Sequence, residues 1–512
     1  ATTERATTGR EATGREAAQP ETAPQAAAAE TALPAPRAGF CAARDRPFLL
    51  AAAILASAMG FIDGTVVAIA LPAMRESLGA TLGQAQWISN AYMLALSALI
   101  LTGGALADRF GVARLFGGGI ALFVFASLLC GLAPTTGTLI AARALQGLGA
   151  AFMVPGSLAL IARAYPPETR GRAIGIWASA SAITTAAGPI LGGALLTADT
   201  PEIWRAIFLV NLPLGAVALW LLATRVARDP RGRATTRLDL PGAALATAGL
   251  ACLALALTEA ERGGALAAVD IALGAAGLAL LAAFVRVERR AEAPMLQMDI
   301  FARPGFAAAN AVTFALYFAL SAILFFLPMT AIAGWGVSPL TAALAFAPLS
   351  VLIGAFSPRI GKLADRTGPR PWIAAGTATA GAGYAAMALA APAQAFWAGL
   401  MPGALLMGLG MMLVVAPLST AVMAAAGEDS AGAASGVNNA VSRVAGLIAV
   451  AAMGPVAATA YDAAGGPGSF GAPSDGAGHA AASGAAFSAV AGLAALCALA
   501  ASALAWIGLR VR

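Results

Sequence analysis

From Phe48 onward the chain alternates between long apolar runs and short polar connections. Fourteen runs of about 20 residues follow one another, each long enough as a helix to cross a ~30 Å hydrocarbon core. They lie at approximately 48–72, 86–106, 115–133, 138–162, 172–197, 206–224, 240–258, 265–285, 305–329, 337–358, 371–391, 395–425, 431–460 and 486–509. The eighth is the weakest, because only fifteen uncharged residues separate Asp270 from Arg286. Lipid offers backbone groups no partner, so runs of this length predict an all-α integral membrane protein with 14 transmembrane helices. Residues 1–45 break the pattern. They are Ala, Thr, Glu, Arg and Pro with almost no large apolar side chain, a composition that predicts a disordered tail. This stretch also lacks the apolar core of a secretory signal.

Composition narrows the function. The chain has 512 residues, of which 59% are hydrophobic and 11% charged. A soluble domain carries about 25% charged residues, so an ordinary soluble enzyme is excluded. His479 is the single histidine, and Cys41, Cys130, Cys252 and Cys497 are scattered, so neither a metal site nor a disulfide framework is expected. The one Gly-Lys pair, Gly361-Lys362, is followed by Leu363 rather than Ser or Thr, so no nucleotide-binding P-loop is present. No catalytic residue, metal ligand, cofactor or nucleic-acid partner is assigned. Work done by such a chain draws on a gradient or on a partner.

Charge gives an expected orientation. With the N-terminus in the cytoplasm, the connections on that side hold 20 basic residues, from Arg109 and Arg114 through Lys362 to Arg510 and Arg512. The other side holds three, Arg75, Arg205 and Arg262. This bias predicts both termini inside. The near-total use of Arg over Lys, with abundant Ala and Gly, suggests a GC-rich bacterial genome and hence the bacterial inner membrane.

An internal repeat is visible. Gly104-Ala-Leu-Ala-Asp108-Arg109-Phe-Gly111 recurs as Gly361-Lys-Leu-Ala-Asp365-Arg366-Thr-Gly368, 257 residues later. The expected organisation is a cytoplasmic tail (1–45), a six-helix half (46–225), a linker with an inserted helix pair (226–303) and a second six-helix half (304–512). Parallel halves around a central site are a recurring transporter architecture.

These elements resemble the major facilitator superfamily, and within it the fourteen-helix drug:proton antiporter subfamily. The repeat is similar to the family's motif A. Leu139-Ile-Ala-Ala-Arg143-Ala-Leu-Gln146-Gly147-Leu-Gly149 resembles motif B, and Gly188-Pro189-Ile-Leu-Gly192-Gly193 resembles motif C, the antiporter signature. Asp63-Gly-Thr65 and the stretch from Trp204 to Gly215 resemble further elements of the subfamily. The resemblance implies a monomeric transporter that takes up protons, exports a small molecule and contains no enzyme. It also implies that Gly104, Asp108, Arg109 and Gly111, with Gly361, Asp365, Arg366 and Gly368, form a latch between the halves in one state of the cycle.

The residues carry their own chemistry. Asp63 lies in the first run, with no other charge between Phe48 and Met74. A carboxylate there is costly without a partner, which suits a group that binds a proton in one state and releases it in another. The competing reading is a structural Asp satisfied by hydroxyls and backbone. Arg143 in the fourth run is the expected partner, or else an arginine snorkelling to the interface. Arg443 in the thirteenth run is similar, either a functional cation like Arg143 or an arginine that snorkels or pairs helices. Gly188-Pro189 predicts a kinked, closely packed fifth helix. Polar stripes suggest a cavity wall. Asn310, Thr313, Tyr317 and Ser321 share one helical face, as do Asn438 and Asn439 with Ser435 and Ser442, and Asn90 and Tyr92 have the same status. These stripes are either substrate-lining or interhelical hydrogen bonds.

The expected function is proton-coupled export of a hydrophobic or amphipathic compound such as a drug, dye or antibiotic. A dedicated exporter of a lipid, siderophore or metabolite is a second reading, and a non-transporting receptor or scaffold a third.

Overall fold

A computed structural model describes residues 41–198, 200, 202–226, 239–259, 268–292, 294, 296, 298–303, 305–427, 431–472, 474 and 476–509. The tail assigned to 1–45 lies outside these up to residue 40. So do the linker residues 227–238.

Fourteen helical spans are observed: α1 (Arg46–Leu78), α2 (Leu82–Phe110), α3 (Val112–Gly131), α4 (Thr136–Ala164), α5 (Pro167–Leu195), α6 (Ile203–Arg225), α7 (Leu240–Glu259), α8 (Ala268–Glu288), α9 (Phe306–Gly334), α10 (Pro339–Thr367), α11 (Pro369–Ala390), α12 (Phe396–Ala426), α13 (Ala431–Ala463) and α14 (Ala477–Gly508). Thirteen are long and apolar enough to cross a membrane by length and composition. The other, α2, has 29 residues, ample at 1.5 Å per residue. Among the described residues there is no strand.

Most helices extend past their apolar runs, because capping chemistry continues where hydrophobicity stops. Thr81 and Gln84 form a reciprocal capping box at the start of α2, and Thr135 and Thr138 form one on α4. Gly111 and Gly368, the last residues of the two repeat copies, have φ of +95° and +84° and turn the chain between successive helices. The last helix begins at Ala477, nine residues before the apolar run that predicted it.

Two large apolar clusters organise the bundle. One gathers Leu49, Met59, Phe116, Phe123 and Ile161 from the first six spans. The other gathers residues of α9–α14 together with Val66, Leu71, Leu82, Leu139 and Phe208. These last five all lie toward the Arg-poor ends of their helices, so the early and late spans seal against each other on that face. On the Arg-rich face, Val351, Phe356 and Leu363 of α10 and Ile176 and Ile183 of α5 are exposed. The early and late spans therefore share their apolar core toward the Arg-poor end, and α5 and α10 are more exposed toward the Arg-rich end.

The inserted pair packs on itself and then on the seam of the bundle. Gly249 of α7 and Gly277 of α8 allow close approach, and Leu250 and Ala254 of α7 pack on Leu447 and Ala451 of α13. Val269, Ile271 and Leu278 leave α8 with an apolar exposed face, as a lipid-facing helix requires.

The glycines of the stretch 464–484 predict an outward-facing flexible loop, and the structure instead ties its described residues to the bundle. The Phe470 side chain is buried, and its carbonyl accepts from the Arg75 guanidinium of α1. His479 is buried too, with Nδ1 2.6 Å from the Tyr461 hydroxyl and Nε2 3.2 Å from the Ala333 carbonyl. Glycine supplies the turns at Gly465, Gly468 and Gly471, while Arg75 anchors the segment.

Candidate functional site

Asp63 occupies the middle of α1 and is 1% exposed. Arg143 of α4, 2% exposed, donates through Nη1 to Asp63 Oδ2 at 2.6 Å. The pairing expected between the first and fourth spans is present, and the snorkelling reading of Arg143 is excluded. Further bonds surround the pair. Arg143 Nε donates to the Ile88 carbonyl of α2 (3.0 Å), and Nη1 also reaches Gln146 Oε1 (2.6 Å). Gln146 Nε2 donates to Asp63 Oδ1 (2.9 Å) and to Ser127 Oγ of α3 (2.9 Å). Asn211 of α6 completes the group with a 3.3 Å bond to Ser127. Five of the first six helices thus meet at one buried ion pair. Such a pair is stable only when its other groups find partners; both Asp63 oxygens, Arg143 Nε and Nη1 and the Gln146 amide are bonded here, whereas Asn211 Oδ1 has no partner.

Gln146, Ser127 and Asn211 were not singled out as site residues from the sequence. Gln146 had a signal, since it stands three residues after Arg143 on the same helical face. Ser127 and Asn211 had only their polarity within apolar spans.

Of the two readings of Tyr92, cavity lining or interhelical contact, the observed arrangement is an interhelical contact. Tyr92 is buried, and its ring covers the Arg143 guanidinium with Cζ 4.4 Å from the centroid. Phe208 covers it at 5.8 Å. Asn90 is fully buried, and neither of its amide atoms has a partner.

The motif C residues of α5 lie directly against the Asp63 turn. A Cβ at Gly188 would collide with Thr65 Oγ1, and one at Gly192 with Val66 Cγ2. Gly193 faces the other way, where a Cβ would come 2.8 Å from Leu340 Cα and the Pro339 carbonyl of α10. Pro189 is buried between them. This ridge therefore joins the turn that carries Asp63 to the first turn of α10.

The two repeat copies are not brought together. Asp365 and Arg366 are exposed on α10, and Arg109 stacks on its neighbour Phe110 at 5.5 Å. Gly361 approaches Ala416 of α12. The side chains of Gly104 and Asp108 lie outside the described residues.

The polar stripes divide. Thr313 donates to Asn438 Oδ1 at 2.7 Å, and Asn310 donates to the Phe306 carbonyl at 2.9 Å. For these three the interhelical or local bond is the observed arrangement. Tyr317, Ser321 and Asn439 remain half-buried.

At the Arg-poor rim, Glu202 is held below the usual carboxylate range by bonds from Arg205 and Ser77. Among the described residues no cluster of His, Cys, Asp and Glu could hold a metal ion.

Comparison with known proteins places this geometry. Residues 53–450 match the family model described as Major Facilitator Superfamily. The chain is 36% identical to the cephamycin export protein CmcT of Amycolatopsis lactamdurans, over 81% of this chain and 84% of that one. It is 37% identical to the puromycin resistance protein pur8 of Streptomyces alboniger, over 77% and 78%. It is 34% identical to the multidrug resistance protein Stp of Mycobacterium tuberculosis, over 78% and 74%. In fold it is similar to a bacterial homolog of the human lysosomal transporter Spinster, solved inward-facing and unoccupied, with a TM-score of 0.68 at 18% identity over 91% of this chain and 98% of that one. The chain is a multi-pass membrane protein and belongs to the Major Facilitator Superfamily, a family of transporters.

Proposed function

We propose that this protein exports a hydrophobic or amphipathic small molecule, such as a drug or antibiotic, across the bacterial inner membrane in exchange for protons. The Asp63–Arg143 pair carries the reading, because it is a buried acid–base pair joining two helices of the first half, and such a pair can hold or release a proton. Relatives named for cephamycin export, puromycin resistance and multidrug resistance support the direction and the class of cargo. The arginine bias supports cytoplasmic termini, which makes the Arg-rich face the cytoplasmic one.

The proposed coupling is local. A proton on Asp63 removes the anion that Arg143 neutralises. Arg143 then keeps only the neutral acceptors Gln146 Oε1 and the Ile88 carbonyl. The tie between α1 and α4 weakens, and α1 is free to shift against α4. Gly188 and Gly192 pass that shift to α5, and Gly193 passes it to α10. Substrate entry from the cytoplasmic face favours the deprotonated, paired arrangement. One proton moving through ~150 mV supplies about 3.5 kcal/mol, enough for about a 300-fold gradient of a neutral compound.

The test is reconstitution in proteoliposomes with an entrapped pH-sensitive dye. An imposed proton gradient drives export by the wild type, and Asp63→Asn abolishes it. Robust proton-driven export by Asp63→Asn removes Asp63 from the mechanism.

A further inference from the structure

A second arginine stands inside the bundle without an acid. Arg443 lies twelve residues into α13, about 18 Å from its start, well within the span. Its surroundings place it inside the protein. One turn on, Gly446 faces Ser321 of α9 and Met93 of α2, where a Cβ would come 3.0 Å from Ser321 Oγ and 3.2 Å from Met93 Cε. Asn438 pairs with Thr313 and Gly446 faces Ser321, so Arg443, between them on α13, stands level with Tyr317 of α9. It therefore sits between α2 and α9, not on the lipid side of α13. Among the described residues no carboxylate pairs with it, and the buried acid of the neighbouring helices, Asp63, is already taken by Arg143.

A guanidinium is permanently charged and expensive to hold in a low-dielectric interior without an anion. Arg443 is half-buried, so it opens onto space rather than being packed away. The adjacent wall is aromatic. Phe314 and Phe318 stack with centroids 6.3 Å apart, and Tyr317 lies on the same face of α9. Asn439 stands one turn before Arg443, and is also half-buried.

We propose that Arg443, with the Phe314–Tyr317–Phe318 face of α9, forms the substrate subsite for an aromatic organic anion, the guanidinium pairing with a carboxylate while the rings stack on the substrate's plane. This rests on the export reading and names its substrate class. The subsite explains why an uncompensated cation stands in the interior: its counterion is the cargo. Proton uptake at Asp63 and anion binding at Arg443 occupy separate helices, so the two charges need not compete for one partner.

The experiment uses two dyes with the same planar xanthene core and opposite charge, fluorescein and rhodamine 6G. Binding to the full-length protein in detergent is read by fluorescence anisotropy against empty micelles. The wild type is expected to bind fluorescein the more tightly. Arg443→Gln weakens fluorescein about tenfold, while rhodamine 6G changes by less than about threefold. Arg443→Lys, which keeps the charge, retains most of the fluorescein affinity. A wild type that binds rhodamine 6G as well as or better than fluorescein overturns the proposal without any variant. So does an Arg443→Gln protein that weakens both dyes alike, or neither. Asp63→Asn run in parallel separates the two readings, since its transport tests the proton coupling and leaves the charge selectivity of binding to Arg443.

Discussion

Arg143 and Arg443 are the same side chain in two membrane-embedded settings, and the bundle neutralises them differently. Arg143 is fully enclosed, pairs with Asp63, bonds to Gln146 and the Ile88 carbonyl, and lies under Tyr92. Arg443 is half-buried and has no carboxylate among the described residues. The enclosed arginine is finished by the protein itself. The open one is left to something that arrives. A charge that is complete at rest suits a switch, because altering one partner unbalances the rest. A charge left incomplete suits a binding site.

The largest expected contrast is in stability. Arg143→Gln strands Asp63 in the interior and should destabilise by about 3–5 kcal/mol. Arg443→Gln removes a charge that has no protein partner, so it should leave stability unchanged or raise it slightly. Thermal unfolding of both variants in detergent checks this, and equal losses would break the comparison. Asp63→Asn together with Arg143→Gln should lose much less than the sum of the two single changes, because the second removes a charge already stranded by the first.

A second contrast lies in the glycines beside each arginine's site. Gly188→Ala must displace Thr65, whose hydroxyl is tied to the Phe61 and Ile62 carbonyls, and must also push on the Ile62 backbone. Overpacking of that kind costs about 1–3 kcal/mol. Gly446→Ala meets Ser321 Oγ and the end of Met93, a flexible side chain that can turn away. It should be nearly neutral in stability. Melting temperatures of the two alanine variants decide whether the Asp63 turn is the more tightly clamped, as the packing of α5 on α1 requires.

These differences also separate what was legible in the sequence from what was not. Asp63 with Arg143 was legible because an acid and a base within apolar runs must find each other or find water. The fourteen spans were legible for the related reason that lipid tolerates only satisfied backbone. Their ends were less so, since Thr81, Thr135 and Pro369 extend helices by capping or preset backbone geometry rather than hydrophobicity. Gln146 and Ser127 were not found because a neutral polar residue in a span has many possible partners, and only the crossing of α3 and α4 selects between them. Tyr92 read as either cavity lining or interhelical contact because periodicity gives a face but not the neighbour facing it. The stretch 464–484 read as flexible on its glycines, and its order comes from Arg75, nearly four hundred residues earlier in the chain.

The smallest expected effect concerns a third arginine, which sets the solvent limit of the series. Arg205 bonds to Glu202 at the Arg-poor rim, where Glu202 also accepts from Ser77 at 3.1 Å. Both bonds favour the charged carboxylate and hold Glu202 below its ordinary value. A carboxylate lowered in the folded state contributes stability above the unfolded range, near pH ~4.3, and loses it as pH falls through the lowered value. Melting curves of the wild type and Glu202→Gln should therefore differ slightly at neutral pH and converge in acid. Because Glu202 faces solvent, salt should shrink even that difference, whereas the loss caused by Arg143→Gln should persist in high salt. A rim pair that answers to salt and pH beside an enclosed pair that does not would show that burial, rather than the number of ion pairs, decides what each arginine contributes.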